Sequence, residues 1–313
     1  MNNNLPSWLE KHINIFDNEH IHHAFIISGS KGMGKSLLIE TLAEKILNNK
    51  ISLNNNPDFH NLKILDEKKL IGISQIHELR DKLYESSFLG KNKVAVINEI
   101  EKISVDGLNA ILKILEEPPK NTYFLLSTNF LNQIPLTIQS RCFDLRISSP
   151  HIKQSLEWLS DYKTTDALKA LEITNNLPIK AKHFLDNNLL DARDNFVKDV
   201  SGIIKEGKDI TSISEKWIKD NDTLNLKLEW MSQILSDTIK FHADNSIDSL
   251  TNDTDAISKY LCGVASQEKI HKLMSKTNYL WSLFSRETNL RKDYQLGALF
   301  IDWEKYLGVS KKV

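Results

Sequence analysis

Cysteine is nearly absent: Cys142 and Cys262 are the only two in 313 residues. They lie far apart and without partners at metal-ligand spacing, so neither a disulfide framework nor a zinc cluster follows. Long apolar runs are missing too. No stretch approaches the roughly eighteen residues that suggest a membrane span, and the start, Met1-Asn2-Asn3-Asn4, has no basic region followed by an apolar one. A soluble, cytoplasmic protein is expected, with no membrane partner. An excess of either charge is also lacking, since 40 Lys and Arg meet 41 Asp and Glu for a net charge of -1. That excludes a grip on nucleic acid through bulk charge and leaves only a local patch. Arginine is scarce, confined to Arg80, Arg141, Arg146, Arg193, Arg286 and Arg291. The abundance of Lys, Asn and Ile reads as the mark of AT-rich coding, under which an arginine persists where its planar fork matters.

What is present begins with Gly29-Ser30-Lys31-Gly32-Met33-Gly34-Lys35-Ser36. This run fits the phosphate-binding pattern G-x-x-x-x-G-K-[ST] at every fixed position. Ala24-Phe25-Ile26-Ile27 before it reads as a buried strand, and Leu37, Leu38 and Leu42 after it open a helix. The chemistry needs that order. Glycines let backbone N–H groups curl around an anion, the helix N-terminus adds partial positive charge, Lys35 reaches the β- and γ-phosphates, and Ser36 offers a hydroxyl to Mg²⁺. ATP or ADP with Mg²⁺ is the implied cofactor.

Up to about residue 148, strand signals (Phe25 to Ser28, Leu62 to Leu65, Val94 to Ile97, Tyr123 to Thr128, Phe143 to Ile147) alternate with helical ones. The helices include Ile73 to Tyr84 and Val105 to Glu117, the latter stopped by Pro118-Pro119. Short apolar strands spaced by helices predict a parallel sheet covered on both faces. Residues 149–194 hold short helical stretches, such as Ser155 to Leu159 and Asp166 to Ile173, interrupted at Asn175-Asn176-Leu177-Pro178. They read as a small helical lid. From 195 to 313 the pattern is helical throughout, with stripes Leu224, Leu228, Met231, Leu235, then Ile270, Leu273, Thr277, Leu280, Phe284, then Leu296, Leu299, Phe300, Trp303, Leu307. These stripes suit a bundle core, with a partner groove as the alternative.

The end of the third strand decides how active a phosphate loop is. Val94-Ala95-Val96-Ile97 runs into Asn98-Glu99, where an ATPase presents two acids, one for the Mg²⁺ shell and one for the attacking water. Asn98 supplies no charge, so metal binding and hydrolysis should weaken. Glu99 remains as a water-positioning base, or else as a solvated residue at a strand end.

Three further segments follow in order: Asn109-Ala110-Ile111-Leu112-Lys113-Ile114-Leu115-Glu116-Glu117-Pro118-Pro119, then Phe124-Leu125-Leu126-Ser127-Thr128-Asn129, then Ser140-Arg141-Cys142. With the loop, they resemble the bacterial clamp-loader subunits of the DNA polymerase III holoenzyme, in the AAA+ superfamily. Pro6-Ser7-Trp8-Leu9, His22-His23-Ala24, Asn56-Pro57-Asp58-Phe59 and Arg286-Glu287-Thr288-Asn289 fit a stator-type member better than the hydrolysing subunit. The resemblance implies a RecA-like AAA+ P-loop core (1–148), a three-helix lid (149–194) and an all-α collar (195–313). It also implies a place in a five-subunit ring with ATPase and clamp-opening subunits, acting on a sliding clamp and primed DNA in the replisome. In that family the arginine of Ser-Arg-Cys is a finger for a neighbour's ATP, which would be Arg141 here; the alternative is a local ion pair. Thr128 and Asn129, with Asn98, would join the loop in binding nucleotide.

The chain departs from family patterns in two places. Asn48 to Pro57, where many members carry a four-cysteine zinc module, has Asn, Lys and Ser, so no zinc is expected. Near Pro178-Ile179-Lys180 only Lys180 stands where ATPase relatives present a sensing arginine. A largely non-catalytic stator is therefore the expectation, and an ATP-hydrolysing clamp-loader subunit or free-standing P-loop ATPase is the alternative.

Overall fold

The computed structural model describes residues 5–14, 22–65, 68, 70–206, 209–244, 251–284 and 291–307; Arg286-Glu287-Thr288-Asn289 lies outside them. The chain forms two compact units, residues 1–161 with 176–180, and residues 162–175 with 181–313.

The first unit is built on five parallel strands, β1 (Ala24–Ser28), β2 (Phe59–Leu62), β3 (Lys93–Ile97), β4 (Thr122–Thr128) and β5 (Phe143–Arg146), in the order β2-β3-β4-β1-β5. Every residue of β1 and β3 is buried, as parallel strands covered on both faces require. Alternate residues point to opposite faces. Phe25, Ile27, Val94, Val96 and Leu125 join one apolar layer, while Ala24, Ile26, Ala95, Ile97, Phe124 and Leu126 join the other. The helices of this unit are α1 (Ser7–Ile13), α2 (Lys35–Leu47), α3 (Ile73–Tyr84), α4 (Val105–Glu116), α5 (Leu136–Gln139) and α6 (Ile152–Trp158). α4 starts at Ser104, whose Oγ accepts from the Gly107 N–H at 3.2 Å. It stops before Pro118, because a residue preceding proline is pushed out of the helical region.

Four strands fall within one residue of their expected bounds. The second does not: Leu62 to Leu65 was the expected span, and Phe59–Leu62 is the strand. The cause lies outside its own sequence. The Asp58 carboxylate accepts from Phe88 N, Leu89 N and Ser87 Oγ, and its carbonyl accepts from Val94 N at 2.9 Å. This pins Phe59 opposite Val94 and starts the edge strand there.

The second unit is all-helical: α7 (Thr164–Ile173), the greater part of α8 (Pro178–Asp186), α9 (Leu189–Glu206), α10 (Ile210–Lys219), α11 (Asn221–Ala243), α12 (Asn252–Val264), α13 (Gln267–Phe284) and α14 (Lys292–Leu307). The three stripes expected from the sequence are buried in full. Around them sits an aromatic interior in which Trp217 lies 5.6 Å from Phe196 and 5.1 Å from Phe300, centroid to centroid. Arg193, 0% exposed, is enclosed there. Its Nε and Nη2 donate to the Asp253 carboxylate at 2.7 and 2.8 Å, and its guanidinium lies over the Phe196 and Trp230 rings. Burial alone would push the Asp253 carboxyl up, but the hydrogen bonds and charge of Arg193 outweigh it and hold the group below its ordinary range. Among the described residues no helix is long and apolar enough to cross a membrane.

Candidate phosphate-binding site

β1 runs into the loop Gly29 to Ser36, and α2 opens within that loop at Lys35. Gly32 and Gly34 have φ of 90° and 93°, a region that glycine enters without steric cost. A Cβ at Gly34 would lie 2.9 Å from Leu9 Cδ1, and one at Gly32 would lie 3.2 Å from Lys180 Cβ. The loop is also tied by its carbonyls. Ile179 N donates to Gly32 O and the Trp8 indole N–H donates to Met33 O, each at 3.2 Å. Ser30, Lys31 and Ser36 are exposed.

Lys35 is 9% exposed, and its Nζ donates to Gly29 O at 2.6 Å, Ser30 O at 3.0 Å and Asn129 Oδ1 at 2.8 Å. Those three bonds use all of its donors. Burial pushes its pKa below the ordinary lysine value, partly offset by the charges of Glu101 and Glu99.

The Asn129 amide is shared between this lysine and two acids. Its Nδ2 donates to Glu99 Oε1 at 3.1 Å and to Glu101 Oε1 at 3.3 Å, and its backbone N–H donates to the same Glu101 oxygen at 3.0 Å. Glu99 also accepts from Lys102 Nζ at 2.6 Å. Burial would raise the Glu99 pKa, but Lys102, Lys31 and Asn129 together hold it below the usual carboxylate range. Its backbone is left-handed, with φ 54° and ψ 60°. Asn98 Oδ1 accepts from Ser127 Oγ at 3.3 Å, and Asn98 Nδ2 donates to Asn61 Oδ1 at 3.5 Å.

Lys35, Asn98, Glu99 and Asn129 thus meet around the carboxyl ends of β1, β3 and β4, the crevice where open α/β sheets hold ligands. Thr128 stands differently. It is fully buried, and its hydroxyl accepts from Phe130 N at 3.0 Å, shaping the turn that follows β4. Arg141 also lies outside the group: its described partners are Glu116, Thr137 and Ser140. Glu101, Lys102, Ser127 and Asn61 were not singled out from the sequence. For Glu101 the available signal was its position two residues beyond Glu99.

The residues fit a bound phosphate better than a bound metal. Loop, helix N-terminus and Lys35 suit an anion, whereas Mg²⁺ would meet the Ser36 hydroxyl and a neutral Asn98, and Glu99 is already paired with Lys102. Among the described residues no three His, Cys, Asp or Glu side chains are grouped to hold a metal ion.

Residues 5–151 match the family described as DNA polymerase III, delta subunit, and residues 187–305 match DNA polymerase III, delta subunit, C terminal. The chain is 31% identical over 271 residues to DNA polymerase III subunit delta' of Buchnera aphidicola subsp. Acyrthosiphon pisum, covering 79% of this chain and 81% of that one. It is 28% identical to the protein of the same description from Buchnera aphidicola subsp. Schizaphis graminum, covering 95% of each. To that from Escherichia coli it is 24% identical, covering 91% of this chain and 90% of the other.

Proposed function

The chain belongs to the DNA polymerase III delta' family, and from that premise we propose that it serves as the stator of the clamp loader. In this reading it joins a five-subunit ring through its helical collar, residues 195–313, and helps ATP-dependent loading of the sliding clamp onto primed DNA. Gly29 to Ser36 binds adenine nucleotide, with Asn129 beside it, and turns it over little. Arg141 is the group supplied in trans to a neighbouring ATP, where a planar guanidinium neutralises charge developing in phosphoryl transfer.

The observation that carries the non-catalytic part of this reading is the combination of an intact phosphate loop with Asn98. An amide bonded to Ser127 and Asn61 stands where the metal-holding carboxylate is needed. Glu99, the remaining candidate for a water-positioning base, is engaged by Lys102 and Asn129.

The test is ATPase activity of the purified chain alone and in the assembly reconstituted with its partner subunits and clamp. Negligible turnover alone, with clamp loading that requires the chain, supports the reading. Robust hydrolysis by the isolated chain that Lys35→Ala abolishes would replace it with that of an ATP-hydrolysing subunit.

A further inference from the structure

In a phosphate loop the lysine spans the β- and γ-phosphates, and the acids at the end of the third strand face the terminal phosphate across a metal. Here that arrangement is altered at three places. Asn98, a neutral amide, stands where the metal-holding acid is needed. Asn129, next to Lys35, has committed its Nδ2 hydrogens to Glu99 and Glu101, so it has an oxygen but no N–H to offer a terminal phosphate. Third, an extra acid is present. Glu99 is compensated by Lys102 at 2.6 Å. Among the described residues Glu101 makes no ion pair, and its Oε2 is buried without a hydrogen-bond partner.

The two phosphate positions are therefore served unequally. A β-phosphate is held by the loop's N–H groups, the helix N-terminus and the positive charge of Lys35, none of which depends on Asn98. A γ-phosphate adds negative charge on the side where Glu101 lies without an ion pair, its charge felt by Lys35, and where no metal-holding carboxylate brings in a cation. We propose that this site selects a nucleoside diphosphate over the triphosphate, and that Glu101 is the residue that sets the selection. The inference rests on the reading of Gly29 to Ser36 as a nucleotide loop, and it adds the ligand class and the residue that determines it. Glu101 acts through Asn129 and through its charge, without needing to touch the ligand.

The experiment is equilibrium binding of ADP and of ATP, each with Mg²⁺, to the full chain, to Glu101→Gln and to Lys35→Ala. The unmodified chain is expected to bind ADP at least about tenfold more tightly than ATP, the order of effect of one poorly screened charge. Glu101→Gln is expected to narrow the ratio below about threefold by gaining ATP affinity while ADP affinity stays put, and the retained ADP binding reports that the variant is folded. Lys35→Ala should weaken both. Equal or tighter binding of ATP by the unmodified chain overturns the inference and leaves the nucleotide-loop reading standing. Equal weakening of both nucleotides in Glu101→Gln also overturns it, since Glu101 would then only brace the loop. Failure of both nucleotides to bind the unmodified chain overturns the inference and the loop reading together.

Discussion

Arg141 and Glu116 form an ion pair, Nη2 to Oε1 at 2.6 Å, that joins the second residue past α5 to the last residue of α4. A second arm of the guanidinium, Nη1, donates to Thr137 O at 2.7 Å. The two side chains are 34% and 42% exposed, and pairs so open to water contribute about 0–1 kcal/mol. The pair therefore aims the guanidinium more than it stabilises the fold. It still leaves Arg141 with N–H groups to offer elsewhere.

Arg141→Ala is accordingly expected to shift unfolding free energy by less than about 1 kcal/mol and to leave nucleotide binding by this chain unchanged. ATP-driven clamp loading by the reconstituted assembly should fall. An arginine finger contributes about 10³ to 10⁵ at a single site, and the other sites of a ring dilute the bulk effect. Arg141→Lys should rescue poorly, because an ammonium keeps the charge and loses the fork. Loading at the unmodified rate by the alanine variant would reduce Arg141 to a partner for Glu116.

Asn98→Asp returns a carboxylate to the end of β3. Mg²⁺-dependent nucleotide binding is expected to strengthen by several-fold, with little gain in turnover by the isolated chain, because no neighbour contributes to its site. Titration of nucleotide with and without a chelator reads the first effect, and phosphate release reads the second. A variant that hydrolyses ATP briskly alone would show that one amide was all that silenced this site.

Asp253 should make the helical unit sensitive to acid. Its carboxyl is depressed in the folded chain, burial notwithstanding, by Arg193. The stabilisation is therefore full above the unfolded value of about 3.9 and is lost as pH falls through the lower folded value. Asp253→Asn leaves a buried guanidinium without its counter-charge, which costs about 3–5 kcal/mol at pH 7. Urea unfolding at several pH values should show the gap between variant and parent shrinking below about pH 4. A gap independent of pH would mean that packing, rather than charge, is what Asp253 supplies.

Cys142 packs against the apolar layer beneath α4 and α5, and burial pushes its thiol up to about 12. Thiolate is the reactive form. Alkylation of the native chain at pH 8 should therefore label Cys262 well before Cys142, with both reacting after denaturation, as peptide mass mapping can follow. Prompt labelling of Cys142 in the native chain would show that the segment after α5 opens readily.

The sequence was most readable where structure is local. The loop from Gly29 to Ser36, the buried runs of β1, β3 and β4, and the stripes through Met231, Leu273 and Trp303 each carry their signal within a few residues. What it concealed depends on pairings made at long range. Phe59 was missed as a strand start because the Asp58 carboxylate that sets its register is engaged by the backbone N–H groups of Phe88 and Leu89. Glu101 drew no notice because its place beside Asn129 exists only once β3 and β4 are adjacent in the sheet. Glu116 was visible as part of a motif, yet nothing near it announced Arg141, a partner 25 positions later.

The left-handed backbone at Glu99 sets folding against chemistry at a single position. A non-glycine residue there carries a steric cost of about 1–2 kcal/mol that glycine avoids. Replacing Glu99 by glycine would ease the turn and at the same time discard the acid with its bonds to Lys102 and Asn129. Position 99 thus holds its acid against the local preference of the backbone.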